Sequence, residues 1–403
     1  MSNYDAAIAA SRRDHALFLA VTLFYWISLY MYVPILSPYL ESLGSGYGYV
    51  GAVLGSYGLM QLIIRLPLGI ASDRMRVRKP FILFGLLTGA LSCLMFAVFQ
   101  SLGWAFAARS VSGISASTWV AFTVLYASYF PKHQSTQAMS QISFITVAGQ
   151  LVGMGLSGYM ADRWGYESTF WAGAAAGLLG LAAGLLIKEP KDGIAREPIR
   201  LGDIRHVLRE SQLRRVSFLS ILAQAILYIT MFGFTPSQAI RLGAETADLS
   251  LLVFAFMIPR GLASYAAGKW LVPRFGNWAT MIIGFAGAGL CTACIPLLPS
   301  LDALIVTQIF NGWFQGLYFS LLLGMSIEPF DNKLRATAMG FYQTVYSAGM
   351  FGGPFLAGWT NEAFGLAGGF FLAGIVAFAA TALSLRWGLR RKAAHSGSAS
   401  AGG

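Results

Sequence analysis

Long apolar runs separated by short polar segments dominate this chain. Each run is about 20 residues long, enough to cross roughly 30 Å of hydrocarbon as an α-helix. Apolar runs of this length are not typical of soluble α-helical proteins. The pattern predicts twelve membrane spans, numbered in chain order: 17–40, 49–71, 80–99, 103–126, 138–161, 168–187, 216–236, 248–270, 278–298, 303–327, 336–359 and 367–389.

A polar stretch divides these spans into two sets of six. We expect a six-helix bundle over residues 1–187, a cytoplasmic linker over 188–215 and a second six-helix bundle over 216–392. The tail 393–403, AAHSGSASAGG, contains only small and polar residues and is expected to be disordered. The first span is too long for the core of a signal peptide and has no clear cleavage site.

The two halves resemble each other in sequence. AGQLVGMGLSGYMADRWG begins at Ala148 and AGMFGGPFLAGWTNEAFG begins at Ala348, so four glycines align at an offset of 200 residues. A shorter similarity relates GIASDRMR at Gly69 to GKWLVPRFG at Gly268. The predicted fold is therefore an all-α membrane protein with twelve transmembrane helices in two pseudo-symmetric six-helix bundles. Duplicated halves are typical of transporters, whose substrate sites lie at the repeat interface.

Composition and charge placement agree with a membrane protein. Of the 403 residues 56% are hydrophobic and 11% are charged, and the mean hydropathy is +0.61; soluble domains have about 25% charged residues. With a cytoplasmic N-terminus, all but five of the 28 lysines and arginines fall at cytoplasmic ends and loops. Only Arg163 and Arg241 lie outside, and Arg65, Arg109 and Arg260 lie within spans. The net charge of +11 therefore reflects orientation in a cell membrane, with both termini cytoplasmic, and not a nucleic-acid partner.

The three cysteines lie within apolar runs. Cys291 and Cys294 form a CxxC pair, which can indicate metal or redox chemistry, but neither a second pair nor a histidine accompanies it. We interpret Cys93, Cys291 and Cys294 as small packing residues. No metal site, cofactor or disulfide is expected, and the chain is expected to be a monomer.

Residues 69–79, GIASDRMRVRK, place five charges directly after an apolar span. Gly69 would allow another helix to approach, and Asp73 would face the positive N-terminal end of span 11, which begins near residue 336. Such contacts would form a polar latch that holds one conformation and opens in another. The predicted latch residues are Gly69, Asp73, Arg74, Arg78 and Lys79.

This segment resembles the signature of the major facilitator superfamily, which has a glycine, three residues, Asp-Arg and then a basic cluster. Arg76 stands where the family usually has a second glycine, so the resemblance leaves the tightness of the loop open. RSVSGISAS in span 4 is similar to the family's helix 4 pattern, with Arg109 and Gly113 in place. In proton-coupled exporters of this family that arginine is associated with coupling. The alternative is that Arg109 snorkels to the outer interface.

Spans 5 and 11 resemble the glycine-rich helices of the family's exporters, in which glycines and a proline let the helices bend and pack. The corresponding packing and rocking residues are Gly149 and Gly153 in span 5, and Gly353 and Pro354 in span 11. Span 5 lacks a proline. Close packing through small residues is the alternative.

The intramembrane arginines point to the cargo. All 17 acidic residues fall in loops or near helix ends, whereas Arg65, Arg109 and Arg260 lie within spans. Buried arginines need anionic partners or several carbonyls and hydroxyls. An anionic or zwitterionic substrate could supply a carboxylate for bidentate pairing. The alternative is that carbonyls and tyrosines satisfy each guanidinium.

Polar and aromatic side chains at helical spacing complete a candidate cavity, because the family places spans 1, 4, 7 and 10 around its centre. For each residue, structural packing is an alternative to substrate contact. The predicted substrate-binding residues are Tyr25, Tyr32, Gln61, Arg65, Arg109, Gln224, Tyr228, Arg260, Asn311, Gln315 and Tyr318.

The sequence predicts a secondary transporter that works by alternating access and exports a small anionic or zwitterionic metabolite or drug. Spans 1 and 2 also resemble bacterial exporters of staphylopine-type metallophores, whose cargoes are amino-polycarboxylates. An uptake permease for organic anions is the alternative. Protons are a candidate coupling ion, carried by Asp73 or by the substrate's carboxylates. A membrane enzyme would need a catalytic grouping, and the spans contain none.

Overall fold

The computed structural model describes residues 11–130, 134–189, 207–330 and 334–400, and these residues form helices joined by short turns, with no strand among them. Short π-helical segments cover Thr230–Phe234 and Ala267–Leu271, and a 3₁₀ turn covers Ile295–Leu297. The α-helices of this part of the chain are α1 Arg12–Tyr30, α2 Leu36–Ser42, α3 Tyr47–Met75, α4 Lys79–Val98, α5 Leu102–Ser117, α6 Trp119–Ser128, α7 Ser135–Trp164, α8 Tyr166–Leu185, α9 Ser211–Ile229, α10 Thr235–Arg241, α11 Asp248–Ala266, α12 Val272–Cys294, α13 Leu301–Ile327, α14 Arg335–Phe364 and α15 Ala367–Ser400.

All twelve predicted spans are helical. Eight continuous helical segments of the described residues are long and apolar enough to cross a membrane by length and composition. One of them, Asp248–Leu297, contains two predicted spans and is kinked at Gly276, which has a φ of +80°. The predicted linker lies mostly outside the described residues, which resume at residue 207.

In spans 1, 4 and 7 the α-helix is interrupted before the predicted end of the span. In span 1 the helix stops at Tyr30 because the ring of Pro34 would clash with the Tyr30 carbonyl four residues earlier. Span 4 breaks at Thr118, between α5 and α6. In span 7 the π segment precedes Pro236, at the start of α10. Helix α15 continues through Ser400, whereas the sequence analysis expected residues 393–403 to be disordered.

The chain divides into two compact units. The first comprises residues 1–45, 52–206 and 245–250, and the second comprises 46–51, 207–244 and 251–403. The first turn of α3 is therefore part of the second unit, and the first turn of α11 is part of the first unit.

Equivalent helices pack together in each unit. In the first unit α1 contacts α7, while α4 contacts α5 and α8. In the second unit α9 contacts α14, while α12 contacts α13 and α15. Glycines permit the closest approaches: a Cβ on Gly153 would lie 3.0 Å from the Ile27 carbonyl oxygen, and one on Gly353 would lie 2.7 Å from the Ala225 Cα.

Candidate functional site

Arg109 lies on α5 in the interior of the first unit and is only 2% exposed. Its guanidinium carbon is 4.4 Å from the ring centroid of Tyr57 and 5.5 Å from that of Tyr32. Its Nη1 donates a hydrogen bond of 3.3 Å to the Tyr32 hydroxyl. Cation–π contacts of this kind are worth about 2 kcal/mol when desolvated. Arg109 therefore does not snorkel outward, as the alternative interpretation proposed, but is held between tyrosine rings.

Arg65 lies on α3 and is also buried. Its Nη2 donates to the side-chain oxygen of Gln61, one turn earlier, and to the Ala116 carbonyl at 3.5 Å. The Tyr25 hydroxyl donates to the neighbouring Ser115 carbonyl at 2.7 Å. The carbonyls of Ser115 and Ala116 lie in the last turn of α5, directly before the break at Thr118. Side chains from α1 and α3 therefore donate hydrogen bonds to the backbone next to the break in span 4.

Five of the predicted substrate residues thus share one region of the first unit. Their hydrogen-bonding and cation–π partners come from α3, α4, α5 and the turn that follows α1. We call this set, together with Tyr57, the arginine–tyrosine cluster. Its members are Tyr25, Tyr32, Tyr57, Gln61, Arg65 and Arg109.

The remaining intramembrane arginine lies in the second unit. Arg260, on α11, is half-buried, and its guanidinium carbon is 4.5 Å from the ring centroid of Phe319. The backbone of α11 lies against α13 at this position, because a Cβ on Gly316 would be 2.3 Å from the Arg260 carbonyl oxygen. Pro259 precedes Arg260, so α11 also lacks one backbone N–H donor here.

An amide ladder runs along α13 in the second unit. Asn311 donates to the side-chain oxygen of Gln308 at 3.3 Å, and Gln315 donates to that of Asn311 at 3.2 Å. All three side chains are buried. Tyr318, which was predicted to extend this stripe, stacks on Phe285 with ring centroids 4.0 Å apart within a buried cluster of the second unit, and its role as a substrate contact stays a prediction.

The two predicted substrate residues of α9 are buried as well. Gln224 is 4% exposed, and Tyr228 packs edge-on against Phe232 with ring centroids 5.4 Å apart. Neither residue belongs to the amide ladder.

The loop between α3 and α4 carries the predicted latch. The carboxylate of Asp73 pairs with the guanidinium of Arg78, which also donates to the Ser72 hydroxyl at 2.7 Å. Asp73 therefore has a partner within its own loop, and its contact with the N-terminal end of span 11 stays a prediction. Gly69 was expected to permit a close helix approach, but a Cβ there would meet nothing within 4 Å. Arg74 is exposed.

The segment after α8 contacts this loop, which sequence reasoning did not find. Glu189 accepts hydrogen bonds from the backbone N–H groups of Arg78 and Lys79. The neighbouring Lys188 ammonium lies 3.4 Å from the Asp14 carboxylate. A hydrogen bond from the Ser11 hydroxyl lowers the pKa of Asp14, so this carboxylate is charged at neutral pH.

The three cysteines do not form a disulfide in the structure. Cys93, Cys291 and Cys294 are free thiols. Among the described residues no group of three or more histidine, cysteine, aspartate or glutamate side chains could hold a metal ion.

The sequence matches a known family over nearly its whole length. Residues 18–301 and 216–403 match the profile of the Major Facilitator Superfamily. The chain belongs to this superfamily. It is a membrane transporter with multiple spans, and not an enzyme.

Two sequence relatives are major facilitator transporters. The inner membrane transport protein YajR of Escherichia coli K12 is 26% identical over 357 residues, which cover 86% of this chain and 77% of YajR. The quinolone resistance protein NorA of Staphylococcus aureus is 29% identical over 167 residues, or 41% of this chain and 43% of NorA. The match to NorA thus spans less than half of either protein.

Solved structures share the major facilitator fold. A bacterial homologue of the human lysosomal transporter Spinster, inward-facing and unoccupied, superposes with a TM-score of 0.77 at 14% identity, covering 93% of this chain and 96% of that chain. The nucleoside transporter NupG gives 0.73 at 16% identity, covering 91% and 98%. The human organic anion transporter MFSD10 gives 0.67 at 17% identity, covering 93% and 99%.

Within this major facilitator fold, sequence reasoning missed Tyr57, Gln308 and Glu189. Tyr57 could have been found, since it precedes Gln61 and Arg65 at intervals of four residues on one helix face. Gln308 likewise precedes Asn311 by three residues. Glu189 gave no signal, because its partners lie more than 100 residues away.

Proposed function

We propose that this transporter exports small organic anions or zwitterions by alternating access. The arginine–tyrosine cluster is the observation on which this proposal rests. It places two guanidiniums, Arg65 and Arg109, in the buried interior of one unit. A buried positive charge is costly in a membrane and usually has a functional role.

The tyrosine rings suggest how an anion could be exchanged. The Arg109 guanidinium lies against the rings of Tyr57 and Tyr32, a contact much weaker than a bidentate bond to a carboxylate. Because Arg109 is almost fully covered, a substrate could reach it only if Tyr57 or Tyr32 moves. We propose that binding of the anion displaces one of these rings during the transport cycle.

The second unit would add a separate contact region. Arg260 is half-buried against Phe319, and the amide ladder of Gln308, Asn311 and Gln315 supplies neutral donors and acceptors. A zwitterionic or hydroxylated substrate has groups that such amides can bind. The metallophore class of amino-polycarboxylates fits these requirements and belongs in the same test. We also propose that protons drive transport, carried by Asp73 or by the substrate's carboxylates.

Export is favoured over uptake by two observations. The glycine-rich helices α7 and α14 resemble those of the family's exporters, and α14 contains Pro354. The relative NorA is a quinolone resistance protein. Uptake of organic anions is the second candidate, and a measurement of direction decides between the two.

Counterflow in proteoliposomes tests the cargo class. The probes are a fluorescent quinolone carboxylate, its uncharged ethyl ester form and a labelled amino-polycarboxylate. We expect counterflow of at least one carboxylate and at least about tenfold less of the ester, since a hydrogen-bonded charge contributes about 1.5–3 kcal/mol. Proteoliposomes with the protein in a single orientation then show whether the anion moves outward.

Arginine variants assign the site. We expect Arg109→Ala and Arg260→Ala to lose anion counterflow while thermal unfolding still shows a folded protein, and Arg163→Ala, on an exposed outer position, to retain it. If Arg109→Ala unfolds, Arg109→Lys keeps the charge and removes only the planar donor fork. Normal transport of anions by the Arg109 and Arg260 variants would refute the site.

A further inference from the structure

The end of α8 and the start of α4 satisfy each other's unpaired backbone groups. Glu189 accepts from the Arg78 N–H at 2.5 Å and from the Lys79 N–H at 3.1 Å. In return, the Lys79 ammonium donates to the carbonyl of Leu185, the last residue of α8, at 2.7 Å. The first N–H and the last C=O groups of a helix have no partners within it, so each bond fills such a gap.

The hydrogen bonds to Glu189 compensate for the side-chain cap that α4 lacks at its own N-cap residue. Arg78 occupies the N-cap position of α4, and its side chain makes no capping bond to that helix. Serine, threonine, aspartate or asparagine is usual there. Glu189 supplies the acceptor from a distant part of the chain, and its negative charge faces the positive end of the α4 dipole.

Arg78, whose backbone N–H donates to Glu189, also pairs with Asp73 through its side chain. The Arg78 side chain is 3% exposed and contacts both Asp73 and Ser72. Between them, Arg76 has a φ of +52°, a backbone conformation that is unfavourable for a residue with a side chain. Such a conformation persists only where neighbouring contacts fix it. Glu189 provides two of these contacts.

We propose that Glu189 is a positioning residue for transport. Its carboxylate fixes the backbone of Arg78 so that the Asp73–Arg78 pair forms, and it ties the segment that follows α8 to the α3–α4 loop. Loss of its charge weakens the cap, loosens the loop and slows the conformational cycle. Because Glu189 does not belong to the arginine–tyrosine cluster, substrate affinity is unchanged. The inference does not depend on the class of cargo.

Hydrogen exchange on the full-length protein measures whether Glu189 fixes the loop between α3 and α4. We expect Glu189→Gln to speed backbone exchange in peptides covering residues 73–80 about fivefold, the effect of losing one cap. Glu189→Asp keeps the charge and should restore part of the protection. Lys188→Gln is the matched control, since it neutralises the adjacent residue, whose side chain is 78% exposed, and should leave this loop unchanged.

Counterflow of the quinolone carboxylate measures whether a looser loop slows the transport cycle. We expect Glu189→Gln to lower the maximal rate at least threefold with an unchanged KM, and Glu189→Asp to recover part of the rate. Equal loop exchange in wild type and Glu189→Gln would overturn the proposal, and so would faster exchange with a normal maximal rate. If the wild type carries no anion, the proposed cargo is wrong. The rate is then measured with the uncharged ethyl ester, while the exchange result stands on its own.

Discussion

At the scale of single residues, Arg76 shows how this chain departs from its family. The family signature usually has a glycine at this position, and the structure gives Arg76 a φ of +52°. The backbone therefore keeps the left-handed conformation that glycine adopts freely, although the residue has a long side chain. The side chain itself is exposed and does not pack in the core. The loop is thus held in shape by its neighbours.

We expect Arg76→Gly to raise the free energy of unfolding by up to about 1 kcal/mol, because glycine removes the cost of the positive φ. Thermal unfolding in detergent measures the change. Arg76→Ala is the control, since it removes the same charge and keeps a Cβ in the unfavourable conformation. An Arg76→Gly protein no more stable than Arg76→Ala would show that the turn is not strained.

Part of the candidate site follows from local spacing alone. Gln61 and Arg65 lie four residues apart on one helix, and this spacing correctly predicted their contact. The contact of Arg109 with Tyr57 joins α5 to α3, and the contact of Glu189 with the start of α4 joins residues more than 100 positions apart. Such contacts depend on how the helices pack, which the spacing of polar residues does not specify.

At the scale of helices, proline explains two of the three breaks that the apolar runs concealed. Pro34 and Pro236 are visible in the sequence, and each follows the interrupted turn. Hydropathy alone does not show these breaks, because the chain before each proline is mostly apolar. The break at Thr118 has no proline, and a threonine within an apolar run did not predict it. The carbonyls of Ser115 and Ala116, directly before this break, accept hydrogen bonds from Tyr25 and Arg65.

Glycines on α14 show that position on a helix decides their role. A Cβ on Gly349 would lie 2.0 Å from the Ile221 carbonyl oxygen of α9, whereas one on Gly352 would meet nothing within 4 Å. A glycine on α14 therefore marks a close helix contact only where it faces a neighbouring helix. Close packing at Gly149, Gly153 and Gly353 is present, and a role in rocking stays a prediction.

We expect Gly349→Ala to lower the free energy of unfolding by about 1–3 kcal/mol, because the added methyl group forces α9 and α14 apart. Gly352→Ala, on the same helix, should be neutral or stabilising by up to about 1 kcal/mol, since alanine is the better helix former. Thermal unfolding of the two variants side by side measures the difference. Equal effects would contradict the packing described for α9 and α14.

At the scale of the whole molecule, the internal repeat predicted the architecture better than any single span did. The aligned glycines of residues 148–165 and 348–365 lie on α7 and α14, and each of these helices packs on the first helix of its own half. Duplication therefore preserved helix contacts as well as sequence. What it did not predict is that residues 46–51 and 245–250 belong to the opposite unit, because that division depends on tertiary contacts.

The charge distribution gives the whole molecule an orientation that can be tested directly. Lysine and arginine placement predicts that the end of α3 lies in the cytoplasm and the end of α7 outside. Met75 and Trp164 lie at these two ends and are 61% and 60% exposed, so they form a matched pair. In a cysteine-free background, we expect a membrane-impermeant maleimide to label Trp164→Cys in intact cells and Met75→Cys only after permeabilisation. The reverse result would place the N-terminus outside and would move the Asp73–Arg78 loop to the outer face of the membrane.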